Sequence, residues 1–279
     1  MLPPLVEAEW LASQLGDPDL RILDATIQII PGAGARTGRA EWERMHIPGS
    51  VFVDMIALSD PAASPFTLTM PPAAWFSEQM GRLGVGDGTR VVIYDARESM
   101  WAARLWWMLR TFGFDDAAVL NGGWRMWQRE NLPVCEQPCS YAPATLTVHP
   151  RDNAVVNKAE VLAAIDDPDV RLVNALGRRQ HRGEVNEYGR PGHIPGSYNV
   201  TAWEILDRET QRFKSLPELR EQFRAVLDAK RIITYCGSGV ACSSDAFVLH
   251  LLGHPEVAIY DGGLLEWCAD PALPLAMGA

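Results

Sequence analysis

Among the five cysteines of this 279-residue chain, Cys236 sits in the stretch best suited to chemistry: Ile232-Ile233-Thr234-Tyr235-Cys236-Gly237-Ser238-Gly239-Val240-Ala241-Cys242. Two glycines bracket Ser238, so the backbone there can take positive φ and curl around the thiol. A thiol facing a ring of loop N–H groups and a helix N-terminus has its pKa lowered, and the same groups bind an anion. The chemistry this points to is nucleophilic attack by a Cys236 thiolate.

Stepping outward, the loop needs a rigid strand before it and a helix after it. Ile232 to Tyr235 is β-branched and aromatic without charge, as in a parallel strand covered on both faces. From Ala241 to Leu252 the apolar positions fall at helical spacing, and Gly253 is a natural stop. The same plan occurs twice in the chain. His46-Ile47-Pro48-Gly49-Ser50 recurs as His193-Ile194-Pro195-Gly196-Ser197. A short strand precedes each copy (Ile22 to Ala25, Leu172 to Ala175) and another follows it (Val91 to Asp95, Ile232 to Cys236). Each copy closes on a glycine pair and a tryptophan: Asn121-Gly122-Gly123-Trp124, then Asp261-Gly262-Gly263 with Trp267. The offsets are 147, 141 and 140 residues, so order is kept while loop lengths drift. Strands alternating with helices predict an α/β fold of two tandem domains, each a mostly parallel sheet flanked by helices. Residues 1–134 form the first, 135–155 a proline-rich linker, and 156–279 the second. Helices are expected over Pro72 to Leu83 and Ser99 to Thr111. Asn157 with Glu160 and Ser215 with Glu218 are capping pairs opening two helices of the second copy. Asp261-Gly262-Gly263 reads as a tight turn.

The repeat is also an internal control. The counterpart of Cys236 is Asp95, so the strand does not require the thiol, and the first domain is expected to be catalytically silent. The repeated His46 and His193 are expected to shape a turn rather than react. Cys242, one helical turn beyond the loop, is expected to pack the core, the alternative being a disulfide with Cys236 under oxidation. Cys135 and Cys139 have no partners at zinc spacing around them, so no metal and no other cofactor is expected.

Composition narrows the field further. A net charge of −10 argues against a broad nucleic-acid surface. No apolar run approaches the ~20 residues that span a bilayer. Met1-Leu2-Pro3-Pro4-Leu5 lacks the pattern of a signal peptide, and the cysteine spacing suggests no disulfide framework, so a reduced, cytoplasmic, monomeric protein is the expectation.

On these motifs the chain resembles the tandem rhodanese-type sulfurtransferases, in which the nucleophilic cysteine belongs to the second domain. Cys236-Gly237-Ser238-Gly239-Val240 is similar to the active-site loop of the 3-mercaptopyruvate group, whereas thiosulfate-preferring relatives usually carry basic residues in place of Gly237 and Ser238. Tyr94-Asp95-Ala96, Arg104 to Met108, and Asp54 followed by Ser59-Asp60 and Ser64-Pro65 resemble the same group. The resemblance implies that Cys236 takes sulfur from a small anionic donor, 3-mercaptopyruvate before thiosulfate. The sulfur is held as a persulfide and passed to cyanide, a small thiol or a thioredoxin-like protein. A persulfide stays anionic near neutral pH, and the backbone of Gly237, Gly239, Val240 and Ala241 is placed to hold it and the donor. Ser238 is the expected hydroxyl partner of substrate or persulfide, and Arg182, in register with an arginine of the group's pattern, the expected carboxylate clamp. The chain departs from the pattern at three places: Leu68 and Ile56 stand where a histidine and an aspartate are usual, and Leu176 where an arginine is usual. Arg178, Arg179 and Arg190 are the other arginines near that gap. A non-enzymatic persulfide carrier is the alternative from another class.

Cysteine phosphatases share the loop plan but need an arginine six positions after the cysteine. That fork gives bidentate hydrogen bonds to a phosphoryl group, and this chain has Cys242 there.

Overall fold

The computed structural model describes residues 1–30, 34–60, 62–63 and 68–278. The chain divides into two compact units, Met1–Ala62 with Met70–Arg151 and Arg208–Phe213, and Ala63–Thr69 with Asp152–Asp207 and Lys214–Ala279. Each unit thus includes a short segment from the other half of the sequence.

The first unit runs β1 (Leu5–Val6), α1 (Ala8–Ser13), β2 (Leu20–Asp24), β3 (Ile27–Ile30), β4 (Gly34–Thr37), α2 (Arg39–Arg44), β5 (Ser50–Phe52), α3 (Met55–Leu58), α4 (Ala73–Arg82), β6 (Arg90–Tyr94), α5 (Met100–Thr111), β7 (Ala117–Leu120) and α6 (Gly123–Arg129). The second runs β8 (Val155–Val156), α7 (Lys158–Ala164), β9 (Val170–Asn174), α8 (Arg178–His181), β10 (Tyr198–Asn199), α9 (Leu216–Phe223), β11 (Arg231–Tyr235), α10 (Ala241–Leu251), β12 (Val257–Tyr260) and α11 (Gly263–Ala269). Both main sheets are five-stranded and parallel throughout, in the orders β1-β7-β6-β2-β5 and β8-β12-β11-β9-β10, which is one topology used twice. The expected α/β fold of two tandem domains is the fold observed. The antiparallel hairpin β3–β4 is an addition in the first unit.

The middle strands, β6 and β11, carry Asp95 and Cys236 just past their carboxyl ends. Both are buried on both faces, which is why they read as continuous apolar runs rather than alternating ones. The helices that follow are also enclosed. In α5, Trp101, Trp106 and Trp107 are almost wholly buried, and in α10 every residue from Cys242 to Leu249 is. Truncating a side chain such as Trp107 to alanine would cost about 3–5 kcal/mol.

The repeated histidines lock turns. His46 Nδ1 pairs with the Trp42 carbonyl at 2.6 Å, and His193 Nδ1 with that of His181 at 2.6 Å. Each histidine's backbone then pairs antiparallel with a returning segment, at Cys135 and at Ala276. The tryptophan equivalence differs from the sequence expectation: Trp267 corresponds to Trp127, not Trp124. Both are fully buried, and both donate their indole N–H to a proline carbonyl, Pro133 at 2.7 Å and Pro274 at 2.8 Å. Asp261-Gly262-Gly263 is not a free-standing turn but the entry to α11, with Gly263 at φ +54.

The two capping pairs form. Asn157 and Glu160 bond reciprocally, and Glu218 takes the Ser215 backbone N–H at 3.0 Å. The proline-rich stretch after α6 lies along the first unit. Tyr141 donates to the Gly49 carbonyl at 2.6 Å, and the Ala144 N–H to that of Gly81 at 2.9 Å. The segment Arg208–Phe213 is tied to the same unit by the Phe213 N–H on Asn121 Oδ1 (2.9 Å) and by the Arg212–Glu130 ion pair. Among the described residues no helix is long and apolar enough to cross a membrane.

Candidate active site

Cys236 is 2% exposed at the head of the loop joining β11 to α10. Burial by itself would push its thiol up. Opposing that, the Cys242 side chain and the backbone N–H groups of Cys242, Ser238 and Ala241 all bond to the sulfur, and the outcome is a pKa lowered to about 6. At pH 7 such a thiol is roughly 90% thiolate, whereas an unperturbed cysteine is a few per cent ionised. The loop is built for this. Gly239 adopts φ +78, the left-handed conformation that turns successive N–H groups inward, and its carbonyl accepts the Ser243 hydroxyl at 2.7 Å. The loop is pinned from behind by α11: the Leu264 and Leu265 N–H groups bond to the carbonyls of Cys236 (2.8 Å) and Gly237 (3.0 Å). Gly263 is what permits that docking, because a Cβ there would lie 2.5 Å from the Gly237 oxygen.

Gly237 is constrained from the other side. A Cβ on it would sit 2.4 Å from the ring and the hydroxyl of Tyr188. Burial, then the charges of Cys236 and Glu187, hold the Tyr188 phenol above its usual range, so it faces the site as a neutral group. Asp245, on α10, is fully buried, and among the described residues neither carboxyl oxygen has a hydrogen-bond partner. Burial, and then the charge of Cys236, push its carboxyl well above the ordinary range. On the neighbouring strand, Asn174 is fully buried with its Nδ2 against His181 Nδ1 at 3.3 Å and its Oδ1 accepting the Leu176 N–H at 2.9 Å. His181 is itself lowered to about 4, by burial first and then by His193 and Arg182. The charge of the thiolate is held by the loop donors.

The structure brings Cys236, Ser238 and Ala241 together directly, with Gly237 and Gly239 shaping the loop and Val240 opening the helix. Ser238 is half-buried, and its hydroxyl has no protein partner among the described residues. Arg182 lies at the C-terminal end of α8, is half exposed, and has Glu184 at 3.8 Å; among the described residues it makes no hydrogen bond to the Cys236 loop. Of its neighbours, Arg178 pairs with Glu204 at 2.7 Å, Arg179 with Glu184 at 3.3 Å, and Arg190 donates to the Asp270 and Leu273 carbonyls at 3.0 Å each. Leu176 is buried. Ile56 is exposed on α3, whose entry is capped by Asp54; Leu68 adopts φ +67; and Ser64-Pro65-Phe66 lie outside the described residues.

Sequence reasoning missed Tyr188 and Asp245. The first has no signal in the sequence, because its contact with Gly237 is tertiary. The second had one: from strand end to helix the two copies stay in step at an offset of 141, which sets Asp245 opposite Arg104, also fully buried.

Comparison with known proteins agrees with this geometry. The family model for the rhodanese-like domain matches twice, at residues 7–130 and 157–270. A 3-mercaptopyruvate sulfurtransferase of Escherichia coli (strain K12) is 37% identical over 97% of this chain and 96% of its own length. A thiosulfate sulfurtransferase of Bos taurus is 34% identical over 94% and 91%. The crystal structure of SseA from Escherichia coli, described as a 3-mercaptopyruvate sulfotransferase, superposes with a TM-score of 0.84 at 34% identity, covering 94% of this chain and 99% of that one.

Proposed function

Because the chain belongs to the rhodanese-like sulfurtransferases, we propose that Cys236 takes sulfur from 3-mercaptopyruvate and passes it on through a persulfide. The thiolate attacks the sulfur of the donor. The bond between that sulfur and carbon breaks, and the carbon fragment leaves as the pyruvate enolate and takes up a proton. Cys236 keeps the sulfur as a persulfide. A thiol or cyanide then attacks the outer sulfur and returns the thiolate, which is two-step covalent catalysis. The observation that carries this reading is the buried thiol lowered to about 6 in a cradle of N–H donors.

The donor preference is supported by Gly237. A basic side chain there, as in thiosulfate-preferring relatives, would run into Tyr188. Positive charge for a second anionic oxygen set is thus absent from that position, and the carboxylate of mercaptopyruvate is held elsewhere. In this reading Arg182 holds it, because Arg178, Arg179 and Arg190 have closer partners. Ser238 donates its hydroxyl to the donor or to the persulfide. The acceptor is a small thiol or a thioredoxin-like protein; the protein works as a monomer, and five cysteines outside any disulfide suit a reducing cytoplasm.

Steady-state kcat/KM measured side by side for 3-mercaptopyruvate and thiosulfate tests the assignment. We expect a clear preference for mercaptopyruvate, parallel-line kinetics with the acceptor, and a rise in mercaptopyruvate KM on Arg182→Ala. A preference for thiosulfate would overturn the donor. Persulfide formation without turnover in excess acceptor would make the protein a carrier.

A further inference from the structure

One nucleophile near the reaction centre is not used by the mechanism above. Cys242 is fully buried as the second residue of α10. Its backbone N–H and its thiol both reach the sulfur of Cys236. The backbone placement is repeated in the first unit, where Trp101, the residue in register with Cys242, donates its N–H to Asp95 at 3.0 Å. The position is thus a fixed part of the cradle, and only in the second copy does it carry sulfur. Its carbonyl is also fixed, accepting the Thr234 hydroxyl at 2.9 Å, so the two cysteines are held on adjoining, rigid elements.

The geometry points to Cys242 as a resolving thiol, which attacks the inner sulfur of the Cys236 persulfide and releases hydrosulfide. This rests on the reading of Cys236 as the persulfide carrier. The step balances within the protein. A bond forms between the two Sγ atoms, the bond between Cys236 Sγ and the outer sulfur breaks, and the Cys242 proton leaves with the departing sulfur as HS⁻. The Cys236–Cys242 disulfide that remains is at the oxidation level of the persulfide, so no external oxidant is involved. A dithiol acceptor then restores both thiols by exchange. Two properties favour the step. The attacking thiol is already in contact with the sulfur it must reach, which replaces a bimolecular encounter by an intramolecular one. It also sits in the first turn of α10, whose backbone holds it beside that sulfur. The activity this adds is sulfide release without a sulfur acceptor, in competition with transfer to an external thiol.

The test loads the full-length protein with 3-mercaptopyruvate, without acceptor, and follows sulfide release together with peptide mapping of Cys236 and Cys242. Cys242→Ser keeps a donor to the Cys236 sulfur but cannot close the disulfide, and Cys242→Ala is the second variant should the first fail to fold. The wild-type chain is expected to accumulate the Cys236–Cys242 disulfide while releasing sulfide in step. The variants are expected to retain the persulfide and to release sulfide slower by on the order of tenfold or more. Equal sulfide release by wild type and variants, or a persulfide that persists in the wild type without any disulfide, overturns the inference while leaving the Cys236 reading intact. Failure of the wild type and the variants alike to form any persulfide or disulfide overturns that reading and this inference with it.

Discussion

The loop between β6 and α5 and the loop between β11 and α10 are one backbone device holding two different anions. In the first, Asp95 accepts the N–H groups of Arg97 (2.8 Å), Trp101 (3.0 Å) and Ala102 (2.9 Å). In the second, Cys236 accepts those of Ser238, Ala241 and Cys242. Both loops are pinned from behind in the same way: the Trp124 N–H bonds to the Asp95 carbonyl at 3.0 Å, and the Leu264 N–H to that of Cys236 at 2.8 Å. Even the left-handed residue is shared, with Glu98 at φ +46 in register with Gly239 at φ +78. A non-glycine residue there carries a cost of order 1–2 kcal/mol, tolerable in a loop that only has to be stable. The first cradle is filled by the fold's own carboxylate. The second is filled by an anion that is also a nucleophile, and this is the difference between a structural loop and a reactive one.

Similar cradles nonetheless shift their occupants in opposite directions. Asp95 is raised to about 7, by burial first, against its three backbone donors and with the neighbouring Asp24 adding to the rise. Cys236 is lowered to about 6. Part of the reason lies on the adjacent strand. Asp24 pairs in register with Tyr94, and the residue in that place beside Tyr235 is the neutral Asn174. The second copy has an amide where the first has an acid, which keeps a like charge away from the thiolate.

The largest test of this contrast is loss of the thiol. Cys236→Ser should lower sulfur transfer by about a thousandfold or more. Cys236→Asp should be equally inactive yet fold normally, with Tm within about 5 °C of wild type, because the first unit shows that a carboxylate suits such a cradle. A Cys236→Asp chain that fails to fold would break the equivalence of the two loops. Next in size, Asn174→Asp should restore the like charge and push the Cys236 thiol up, slowing its alkylation by iodoacetamide about tenfold at pH 6.5. An unchanged rate would mean that the neighbouring strand contributes nothing to the thiolate. Gly237→Ala should drive a methyl into the Tyr188 ring, costing about 1–3 kcal/mol of stability and displacing the Ser238 N–H from the sulfur. Thermal melts read the first effect and the alkylation rate the second.

The pH profile carries the sign of the shift. Since the thiolate is the reactive form, alkylation of Cys236 should rise as pH increases through about 6 and level off above 7, where an unperturbed thiol would still be climbing toward its value of 9.0. Asp245→Asn should move this profile least of all, because burial pushes the Asp245 carboxyl toward its neutral form and the amide is neutral too. A clear downward displacement of the midpoint in that variant would show that Asp245 is ionised beside the thiolate.

The parts legible in the sequence are those set by local pattern. The apolar runs of β6 and β11, the capping pair at Asn157 and Glu160, the repeated His-Ile-Pro-Gly-Ser turns and the glycine-flanked Cys236 each carry their signal within a few residues. What escaped was set by packing across the fold. Tyr188 reaches Gly237 from a loop between α8 and β10, and no spacing rule links the two. Trp267 corresponds to Trp127, not Trp124, because the tryptophan that fills the core lies one helical turn past the glycine pair in both copies. The entry to α11 read as a turn because Gly262 and Gly263 are helix-breaking residues by propensity. Here they are kept so that a helix can dock against the loop carbonyls. Arg182 carries a signal only through the register of the resemblance, and its ion partner in the fold is Glu184 at 3.8 Å.

The most direct measurement is the intact mass of the protein mixed with 3-mercaptopyruvate and quenched within the first turnover, followed by peptide mapping. The account predicts a gain of one sulfur atom per chain, located on Cys236 and absent from Cys236→Ser. A chain that turns over the donor with neither a sulfur gained nor a Cys236–Cys242 disulfide formed, or that carries the sulfur on Cys135, Cys139 or Cys268, would contradict it.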